Sequence, residues 1–342
     1  MIDRNPLVSI IMLNYNGSNY IEDCILSIKN QSYDNVETIV VDNASTDDSL
    51  KKVENVNYDI KIIKNRENFG SAKANNIGAK EANGKYLFFL NVDTRLEKDC
   101  IKNLVLKCEK EKKVDVCACQ EVSYDNFYPF DCGIGLDIFG YGYPGKPGKI
   151  FYSPSSSLFI KKQIFDNIGG FDESYFMYKD DIDLCWRLHL QDYKIEQVPE
   201  AIVHHKGGGV SLAKNGTILN PRKIKNKRYI VNVKRRYLGE RNTIYTLLKN
   251  YSFISLLIII PIYLLINICE MLFFMFMMKP KIISDVYFKS YFHILKNMGN
   301  IIKKRQIVQR NRKVNDLKIL KFMEKKIGKF SAFKAIGIPE IK

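Results

Sequence analysis

Residues 8–17 read VSIIMLNYNG, in which the mainly apolar run 8–13 is followed by Asn14 and Asn16. A continuous run of apolar and β-branched residues is typical of a parallel strand that is buried on both faces. Apolar residues then recur at helical spacing between positions 21 and 28, which predicts an amphipathic helix. This unit of a buried strand followed by a covering helix decides the fold class.

The same unit recurs along the first 120 residues. Further strands are predicted at 36–41, 60–63, 86–90 and 114–119, with helices at 72–82 and 96–111. Alternation of strands and helices with short loops predicts an α/β fold with a mainly parallel sheet sandwiched by helices. Ligands of such sheets bind beyond the carboxyl ends of the strands. Residues 123–155, rich in Gly, Pro, Tyr and Phe, are too long for an ordinary loop and predict a functional loop region.

The charge of the chain is divided unevenly. Its 342 residues carry a net charge of +16, but residues 1–200 hold 24 basic and 31 acidic side chains, whereas residues 201–342 hold 29 and 6. A hydrophobic fraction of 46% excludes a wholly disordered protein. This composition also excludes a disulfide-dense miniature protein, and none of the eight cysteines forms a C-x-x-C pair. Cys108, Cys117 and Cys119 flank or occupy an apolar run and are expected as small core residues. The first half of the chain is expected in the reducing cytosol. The apolar run at 8–13 is too short for a signal peptide.

Residues 253–278 form a long apolar segment in the basic part of the chain. It exceeds the roughly 20 residues that cross a bilayer, yet it contains Pro261 and Glu270, and basic residues flank both ends. Three interpretations stay open: a full span, a segment broken near Pro261 that enters only the cytoplasmic leaflet, and a buried helix of a soluble protein. The Lys-rich tail, 282–342, predicts an amphipathic helix suited to anionic lipid head groups.

These features divide the chain into two predicted parts. Residues 1–240 are expected to form the globular domain, and residues 241–342 a basic, membrane-associated helical region around the segment 253–278. The protein is therefore expected at a membrane, with its globular domain in the cytoplasm.

Asn91 and Asp93 lie two residues apart in the stretch LNVDT, just past a predicted strand. Side chains at i and i+2 of an extended chain point the same way, so both oxygens can reach one hard cation. A divalent ion at this place would neutralise a diphosphate leaving group. The alternative is an ordinary polar turn after a strand.

The stretch MYKDDIDLCWR, residues 177–187, places Asp180, Asp181 and Asp183 within four positions. A helix cap needs one carboxylate, and three so close repel each other, so the excess indicates an acid–base or metal-adjacent site. His204 and His205 follow before a glycine-rich turn. One of them could complete a metal site, or both could be surface histidines.

Four stretches together resemble glycosyltransferase family 2, in the rhamnosyltransferase-like branch with a GT-A (Rossmann-like) fold. They are VSIIMLNYNG, TIVVDNASTDDS, NRENFGSAKANNIGAKEANGKYLFFLNVDT and GGFDESYFMYKDDIDLCWRLHLQDY, and they extend the resemblance over about residues 6–240. The resemblance implies an inverting, metal-dependent hexosyl- or rhamnosyltransferase. Such an enzyme moves a sugar from a nucleotide-diphosphate donor to a hydroxyl of a glycan, here a lipid-linked one, in cell-envelope glycan biosynthesis.

The resemblance also implies roles for matching positions. Donor nucleotide contacts are implied for Asn14, Asn16, Asp42, Asn43, Asn68, Gly70 and Asn75. A divalent cation, Mg²⁺ or Mn²⁺, is implied at Asp93, Asn91 and His205, with His204 as the alternative histidine. Asp181 is implied as the general base, and the residues around it that contact the acceptor or support the base would be Asp180, Asp183, Trp186 and Arg187.

The sequence departs from the family pattern at three places. Asn91 replaces the first aspartate of the D-x-D motif, and Asp180 stands where glutamate is usual. Ser155, Ser156 and Ser157 replace a pair of small Gly and Ala residues. Asn91 bears on the affinity for the metal ion, and the three serines bear on the preference for the donor or the acceptor.

Two other function classes compete with this interpretation. A sugar nucleotidyltransferase would carry a Gly-rich loop with an arginine after the first strand, where this chain reads NYNGSN. A non-enzymatic, membrane-peripheral basic adaptor would use the acidic cluster only structurally. If such an adaptor bound nucleic acid, it would interleave basic and aromatic residues on a recognisable module. The sequence shows no such module. The predicted partners are therefore a nucleotide sugar, a glycan or lipid-linked glycan and membrane lipid, but no nucleic acid.

Overall fold

The computed structural model describes residues 5–111, 113–124, 134–144, 150–206, 230–325, 327–330 and 340–341. The chain forms two compact units. The first consists of Met1–Ile134, Pro144–His189 and Tyr193–Gly208, and the second of Gly135–Tyr143, Leu190–Asp192 and Gly209–Lys342. The domain boundary expected at residue 240 falls within a helix of the second unit, Val233–Asn250. It stays a prediction.

The strands and helices of the first part of the chain alternate as the sequence predicts. The strands are β1 (Val8–Asn14), β2 (Val36–Asp42), β3 (Lys61–Lys64), β4 (Tyr86–Asn91), β5 (Thr94–Leu96), β6 (Val116–Ser123), β7 (Ile134–Leu136), β8 (Gly142–Pro144), β9 (Ser157–Lys161) and β10 (Ile195–His205). The helices are α1 (Ile21–Lys29), α2 (Ser49–Asn55), α3 (Gly70–Lys80), α4 (Cys100–Lys110), α5 (Lys162–Ile168) and α6 (Asp180–Leu190).

Eight of these strands form one sheet in the order β3-β2-β1-β4-β9-β6-β10-β5. Parallel pairing joins β3, β2, β1 and β4, and also β6 with β10, whereas β9 is antiparallel to both of its neighbours and β5 to β10. The predicted α/β fold is confirmed, but the sheet is mixed. An antiparallel strand does not need the crossover helix that parallel pairing requires, and no helix lies between β6 and β9 in the described parts of the chain.

Strand pairing makes the bounds of one helix and one strand differ from the sequence prediction. The helix expected from residue 96 begins only at Cys100, because Thr94–Leu96 pairs with β10 as the edge strand β5. The two short strands expected at 195–198 and 201–203 are one strand, β10, with a register shift between Val198 and Ile202.

The core of the first unit lies between this sheet and its helices. Val8, Ile10 and Met12 of β1 are completely buried, as are Ile21 and Ile25 of α1. The expectation that Cys108, Cys117 and Cys119 serve as small core residues is confirmed. Cys24, Cys100 and Cys185 are buried as well, whereas Cys269 is exposed. Cys132 lies outside the described residues.

The second unit is mainly helical. It contains β11 (Ile230–Val231), α7 (Val233–Asn250), α8 (Phe253–Phe276), α9 (Pro280–Ile282), a π-helix (Ile283–Phe288), α10 (Lys289–Lys296), α11 (Met298–Arg310), α12 (Asp316–Leu320) and β12 (Glu340–Ile341). The tail expected as one amphipathic helix is therefore a series of short helices. Pro261 lies inside α8 and does not end it, so the helix is not broken at this proline, contrary to one of the three open interpretations.

Among the described helices, α8 is long and apolar enough to cross a membrane, judged by length and composition. Only 17% of its most apolar window is buried, which argues against a buried helix of a soluble protein. The side of α8 that packs against the rest of the second unit is mixed: Ile259, Tyr263, Asn267 and Phe274 are buried. On the same helix, Glu270 forms ion pairs with Arg236 and Lys329. Glu270 in the apolar segment is thus paired inside the protein.

Candidate functional site

The parallel strands β1, β2 and β4 end at one edge of the sheet in polar residues. The register pairs Asn14 with Asp42 and Leu13 with Asn91. The carboxyl ends of parallel strands are where α/β sheets bind ligands. The structure therefore brings together three of the residues that the sequence marks as candidates.

Asn14 and Asp42 bind each other beneath this edge. The Nδ2 atom of Asn14 donates to Oδ1 of Asp42 at 2.7 Å and to Oγ of Ser49 at 2.9 Å. The backbone N–H of Ser45 donates to the other carboxylate oxygen of Asp42 at 3.1 Å. Asn14 is completely buried and Asp42 is 2% exposed. Both residues thus shape the floor of the edge, while Asn16 above them is exposed and accepts from the N–H of Thr46 at 2.8 Å.

Asn43 fixes the loop that leads into α3. Its Oδ1 atom accepts from Nδ2 of Asn65 at 3.1 Å and from the N–H of Phe69 at 3.0 Å. Its Nδ2 atom donates to Oδ1 of Asn68 at 2.9 Å, which also accepts from the N–H of Gly70 at 2.9 Å. The resemblance assigns contacts with the donor nucleotide to Asn43, Asn68 and Gly70, and hydrogen bonds hold these three residues together.

Gly70 makes the closest approach in this loop. Its φ is +80°, and a Cβ atom at this position would lie 1.9 Å from the carbonyl oxygen of Phe176. The next residue, Ser71, donates its N–H to the same oxygen at 2.7 Å. Only glycine allows this contact. Asn75, one turn further along α3, is 2% exposed, and its Oδ1 atom has no hydrogen-bond partner among the described residues.

The acidic cluster opens helix α6. Tyr178 and Lys179 just before it have φ values of +68° and +67°, a conformation that costs energy for residues other than glycine and is concentrated at functional sites. Asp180 is buried and accepts from Oγ of Ser71 at 2.8 Å. The start of α3 and the start of α6 are thereby joined.

Asp181 as a whole residue is partly exposed, unlike Asp180, but its carboxylate is surrounded by protein atoms. Its carboxylate accepts hydrogen bonds from its neighbour Ile182, at 2.8 Å, and from the N–H of Ser155. Burial of the carboxylate, and then the negative charge of Asp180, raise the pKa of Asp181 to about 7. A carboxylate with a pKa near the working pH is suited to general acid–base chemistry.

His205 lies between two carboxylates. Its Nε2 atom is 3.5 Å from Oδ1 of Asp93, and its Nδ1 atom is 3.2 Å from Oε2 of Glu121. The other oxygen of Glu121 accepts from the hydroxyls of Ser156 and Ser157, each at 2.7 Å. Asp93, His205 and Glu121 therefore form a connected corner at the ends of β4, β10 and β6.

The charges of this corner support each other. Burial would raise the pKa of Glu121, but the charge of His205 and the two serine hydroxyls lower it to about 2. Burial would lower the pKa of His205, but the charge of Glu121 and the contact with Asp93 raise it to about 10. Without a metal ion, the imidazole is thus protonated between two carboxylates.

His204 has a different environment from His205. It is 1% exposed, its Nε2 atom is 2.6 Å from Oε1 of Glu97, and its Nδ1 atom is 3.3 Å from the carbonyl of Ser123. Of the two histidines that the sequence leaves open, His205 is the one that faces Asp93.

The fit of a divalent cation to this corner depends on its donor atoms. No group of three His, Cys, Asp or Glu side chains in the described ranges is arranged to hold a metal ion by itself. Asp93 and His205 nevertheless offer a carboxylate oxygen and an imidazole nitrogen, which suit such cations when ligand and water oxygens complete the shell. Glu121 on the second nitrogen matches the way proteins orient metal-binding histidines. Binding would require His205 to lose its proton.

Asp183, Trp186 and Arg187 support the acidic cluster from behind. Asp183 and Trp186 are completely buried, and Nε of Arg187 donates to Asp183 at 2.9 Å. The terminal nitrogens of Arg187 donate to the carbonyls of Ile168 and Gly170 at 2.8 and 2.7 Å. This burial favours the supporting role over contact with an acceptor.

Sequence reasoning missed Glu121 and Ser71. Glu121 follows the apolar run of β6 near its carboxyl end, so the strand-end rule that marked Asn91 and Asp93 could also have marked it. Ser71 carries no such signal, because its contact with Asp180 joins residues 109 positions apart.

The comparisons with known proteins agree on one family. The profile of glycosyl transferase family 2 matches residues 9–184. A Bacillus subtilis (strain 168) protein named as a teichuronic acid biosynthesis glycosyltransferase, TuaG, is 39% identical over 102 residues, which are 29% of this chain and 40% of that relative. A poly-beta-1,6-N-acetyl-D-glucosamine synthase of Staphylococcus epidermidis is 26% identical over 211 residues, 57% of this chain and 48% of that relative.

The chain spans less than half the length of these curated relatives. Among solved structures, GalNAc-T7, crystallised with UDP, GalNAc and Mn²⁺, matches with a TM-score of 0.53 and 15% identity over 59% of this chain and 44% of that chain. At this identity the likeness shows the fold, which is GT-A-like. Because the family profile covers more than half of the residues, this chain belongs to glycosyl transferase family 2.

Proposed function

We propose that the protein is an inverting glycosyltransferase that moves a sugar from a nucleotide-diphosphate donor to a hydroxyl group of a glycan. One observation carries the proposal: three consecutive residues hold both halves of the candidate site. The N–H of Ser155 binds Asp181, and the hydroxyls of Ser156 and Ser157 bind Glu121, which contacts His205. The proposed base, Asp181, and the proposed binding corner for the charged leaving group are thereby both held by residues 155–157.

Asp181 is the proposed general base. In its charged form it accepts the proton of an acceptor hydroxyl, and that oxygen attacks the anomeric carbon of the donor sugar. The bond from the anomeric carbon to the diphosphate breaks as the new bond forms on the opposite face, so one displacement inverts the configuration. General-base assistance of this kind contributes about 10²–10⁴ in rate.

Asp93 and His205, with Asn91 beside them at the end of β4, would hold Mg²⁺ or Mn²⁺. A bound divalent cation would stabilise the charge on the departing diphosphate, an effect worth several kcal/mol. Glu121 would fix the orientation of His205 in this role. The donor nucleotide would lie over the edge built by Asn14, Asp42 and the loop of Asn43 and Asn68.

The sugar and the acceptor are proposed more broadly. Rhamnose from a deoxythymidine diphosphate donor follows from the rhamnosyltransferase-like branch, and a hexose from a uridine diphosphate donor is the alternative. The names of the relatives, for teichuronic acid and poly-N-acetylglucosamine, support a cell-envelope glycan. The exposed apolar helix α8 supports a membrane location with the catalytic unit in the cytoplasm and a lipid-linked acceptor.

The decisive experiment combines a donor panel with one substitution. Hydrolysis of deoxythymidine and uridine diphosphate sugars by the full chain, with and without Mg²⁺ or Mn²⁺, identifies the donor. Asp181→Asn should then lose transfer while nucleotide binding, measured by calorimetry, stays unchanged. The matched control is Asp166→Asn, an exposed carboxylate paired with Lys162, which should transfer normally. Near-normal transfer by Asp181→Asn would refute the assignment.

A further inference from the structure

Arg241 of helix α7 is a buried cation without a matching anion among the residues that the structure describes. Its side chain is 8% exposed, and its Nε atom donates to Oδ1 of Asn242 at 2.8 Å. Its Nη2 atom is buried and has no hydrogen-bond partner in the same part of the chain. Burying a guanidinium is costly unless its N–H groups and its charge are both satisfied. The position therefore indicates an anion that binds from outside the protein.

Helix α10 brings three further basic side chains to the neighbourhood of Arg241. The guanidinium of Arg241 lies 5.7 Å from the centre of the Tyr237 ring, and Nζ of Lys289 lies 5.0 Å from the same centre. Partial burial, and then the positive charges of Arg241 and Lys296, lower the pKa of His293, which places His293 close to both. We call Arg241, Lys289, His293 and Lys296 the α7–α10 cluster.

The α7–α10 cluster is uncompensated within the described part of the chain. None of the ion pairs found there includes a member of the cluster. The nearest acidic residue of α7, Glu240, is already bound by Lys329 at 2.7 Å. The packing that brings the cluster together is specific, because Oγ of Ser290 donates to the carbonyl of Tyr237 at 3.3 Å. Arg241, Lys289 and Lys296 of the cluster are thus a preformed concentration of positive charge.

Apolar side chains adjoin the cluster on the same stretch of helix. Phe288, Phe292 and Leu295 are 60%, 69% and 69% exposed, and their spacing of four and three residues places them on one side of a helix. Lys289 and Lys296 each directly follow a member of this stripe. Exposed aromatic and leucine side chains next to lysines are the pattern of a helix that lies in a membrane interface.

We propose that the α7–α10 cluster binds the phosphate of an anionic membrane lipid while Phe288, Phe292 and Leu295 enter the acyl boundary. A guanidinium binds phosphate oxygens through paired hydrogen bonds and an ammonium group binds them as a point charge, so Arg241 together with the exposed Lys289 and Lys296 suits a phosphate. A soluble phosphate compound would leave the apolar stripe in water. The charge of residues 201–342, with 29 basic and 6 acidic side chains, is complementary to an anionic surface.

The test measures binding of the full chain to vesicles in a flotation assay, without donor or acceptor, so its outcome is independent of the proposed reaction. Vesicles of phosphatidylcholine are compared with vesicles that also contain phosphatidylglycerol, at physiological ionic strength. Lys289→Gln/Lys296→Gln should weaken binding to the anionic vesicles roughly 30-fold, because a lysine near the surface contributes about fivefold. Both lysines are exposed, so the folded state should be retained.

The matched control is Lys321→Gln/Lys325→Gln, which removes the same charge from exposed positions of the same unit. It should bind within about threefold of the unchanged protein. Equal losses in both double variants, or no loss in the first, would overturn the proposal. Arg241→Lys, which keeps the charge but not the paired donors, should bind the anionic vesicles more weakly than the unchanged protein.

A final arm separates the lipid from a soluble source of phosphate. Inorganic phosphate is added to the vesicle-bound protein and compared with sodium chloride at equal ionic strength. The lipid proposal expects equal release by the two salts. Selective release by phosphate, with saturable phosphate binding in calorimetry, would assign the cluster to a soluble ligand instead.

Discussion

Glu121 and His205 form a pair whose geometry organises one corner of the candidate site, with 3.2 Å between Oε2 and Nδ1. Because Glu121 occupies Nδ1, the Nε2 atom of the same ring is the one that faces Asp93. Two serine hydroxyls hold the far oxygen of Glu121, so the carboxylate has little freedom to turn. The orientation of His205 is therefore determined from its Nδ1 side, by Glu121 and the two serines that hold it.

Glu121→Gln should weaken divalent cation binding by about 10- to 100-fold, the usual effect of losing the partner of a metal-binding histidine. Glutamine keeps the size of the side chain but removes the charge that favours donation from Nδ1. Calorimetry with Mn²⁺ and unchanged protein as reference measures the effect.

Glu97→Gln is the matched control, because Glu97 is the partner of His204, the histidine that does not face Asp93. Cation affinity should be unaffected in this variant. If both variants bind Mn²⁺ equally well, His205 is not a ligand.

The pH dependence of transfer should follow Asp181. A neutral carboxylic acid cannot accept a proton, and the pKa of Asp181 is raised to about 7, so kcat should rise with pH through about 7 and level off above it. After burial, the negative charge of Asp180 is the next cause of this shift.

Asp180→Asn removes that charge and should move the rising limb of the kcat profile to lower pH. The comparison variant is Asp166→Asn, whose carboxylate is on the exposed surface of α5, and its profile should coincide with that of the unchanged protein. A limb that stays in place, or moves to higher pH, would contradict the assignment of the titration to Asp181.

Much of the fold could be predicted from the sequence because burial dictates it. The central parts of β1, β2 and β4 are runs of apolar residues, which a strand covered on both faces requires. The polar residues that end them, among them Asn14 and Asp42, are paired by the register of those strands. The direction of β9 could not be predicted, because its sequence, SLFIK, is equally suited to parallel and antiparallel neighbours.

The parts of the site that depend on distant contacts were not predictable. Glycine at position 70 is explained by the carbonyl of Phe176, a residue 106 positions away in the chain. The choice between His204 and His205 depends on which ring faces Asp93, and neighbouring residues on a strand point to opposite faces. Neither spacing nor composition carries that information.

Gly70→Ala tests the contact between α3 and the loop before α6. A left-handed φ costs a residue with a Cβ about 1–2 kcal/mol, and the added methyl group would also lie 1.9 Å from the carbonyl oxygen of Phe176. We expect a total loss of roughly 3 kcal/mol or more in the free energy of unfolding, measured by urea denaturation.

Gly169→Ala separates the two effects. Gly169 has nearly the same φ, +81°, but a Cβ atom there would have nothing within 4 Å among the described residues. Its loss should be limited to about 1–2 kcal/mol. Equal losses in the two variants would mean that the loop simply moves away from α3.

Lys329 should contribute strongly to the stability of the second unit. Its ammonium group is 2.7 Å from Glu240 and 2.9 Å from Glu270, and the Glu240 side chain is 4% exposed. Lys329→Met keeps the length of the side chain but leaves a buried carboxylate without its cation. Breaking a buried pair in this way costs about 3–5 kcal/mol, which thermal unfolding in one detergent would detect.

An exposed lysine gives the contrast, because Lys318 pairs with Asp192 where both side chains are about half exposed, 47% and 55%. Lys318→Met should cost no more than about 1 kcal/mol. Glu240→Gln, added to Lys329→Met, should restore part of the loss, since it removes the charge that Lys329→Met leaves unpaired. A Lys329→Met variant as stable as Lys318→Met would show that the ion pairs of Lys329 do not hold the unit together.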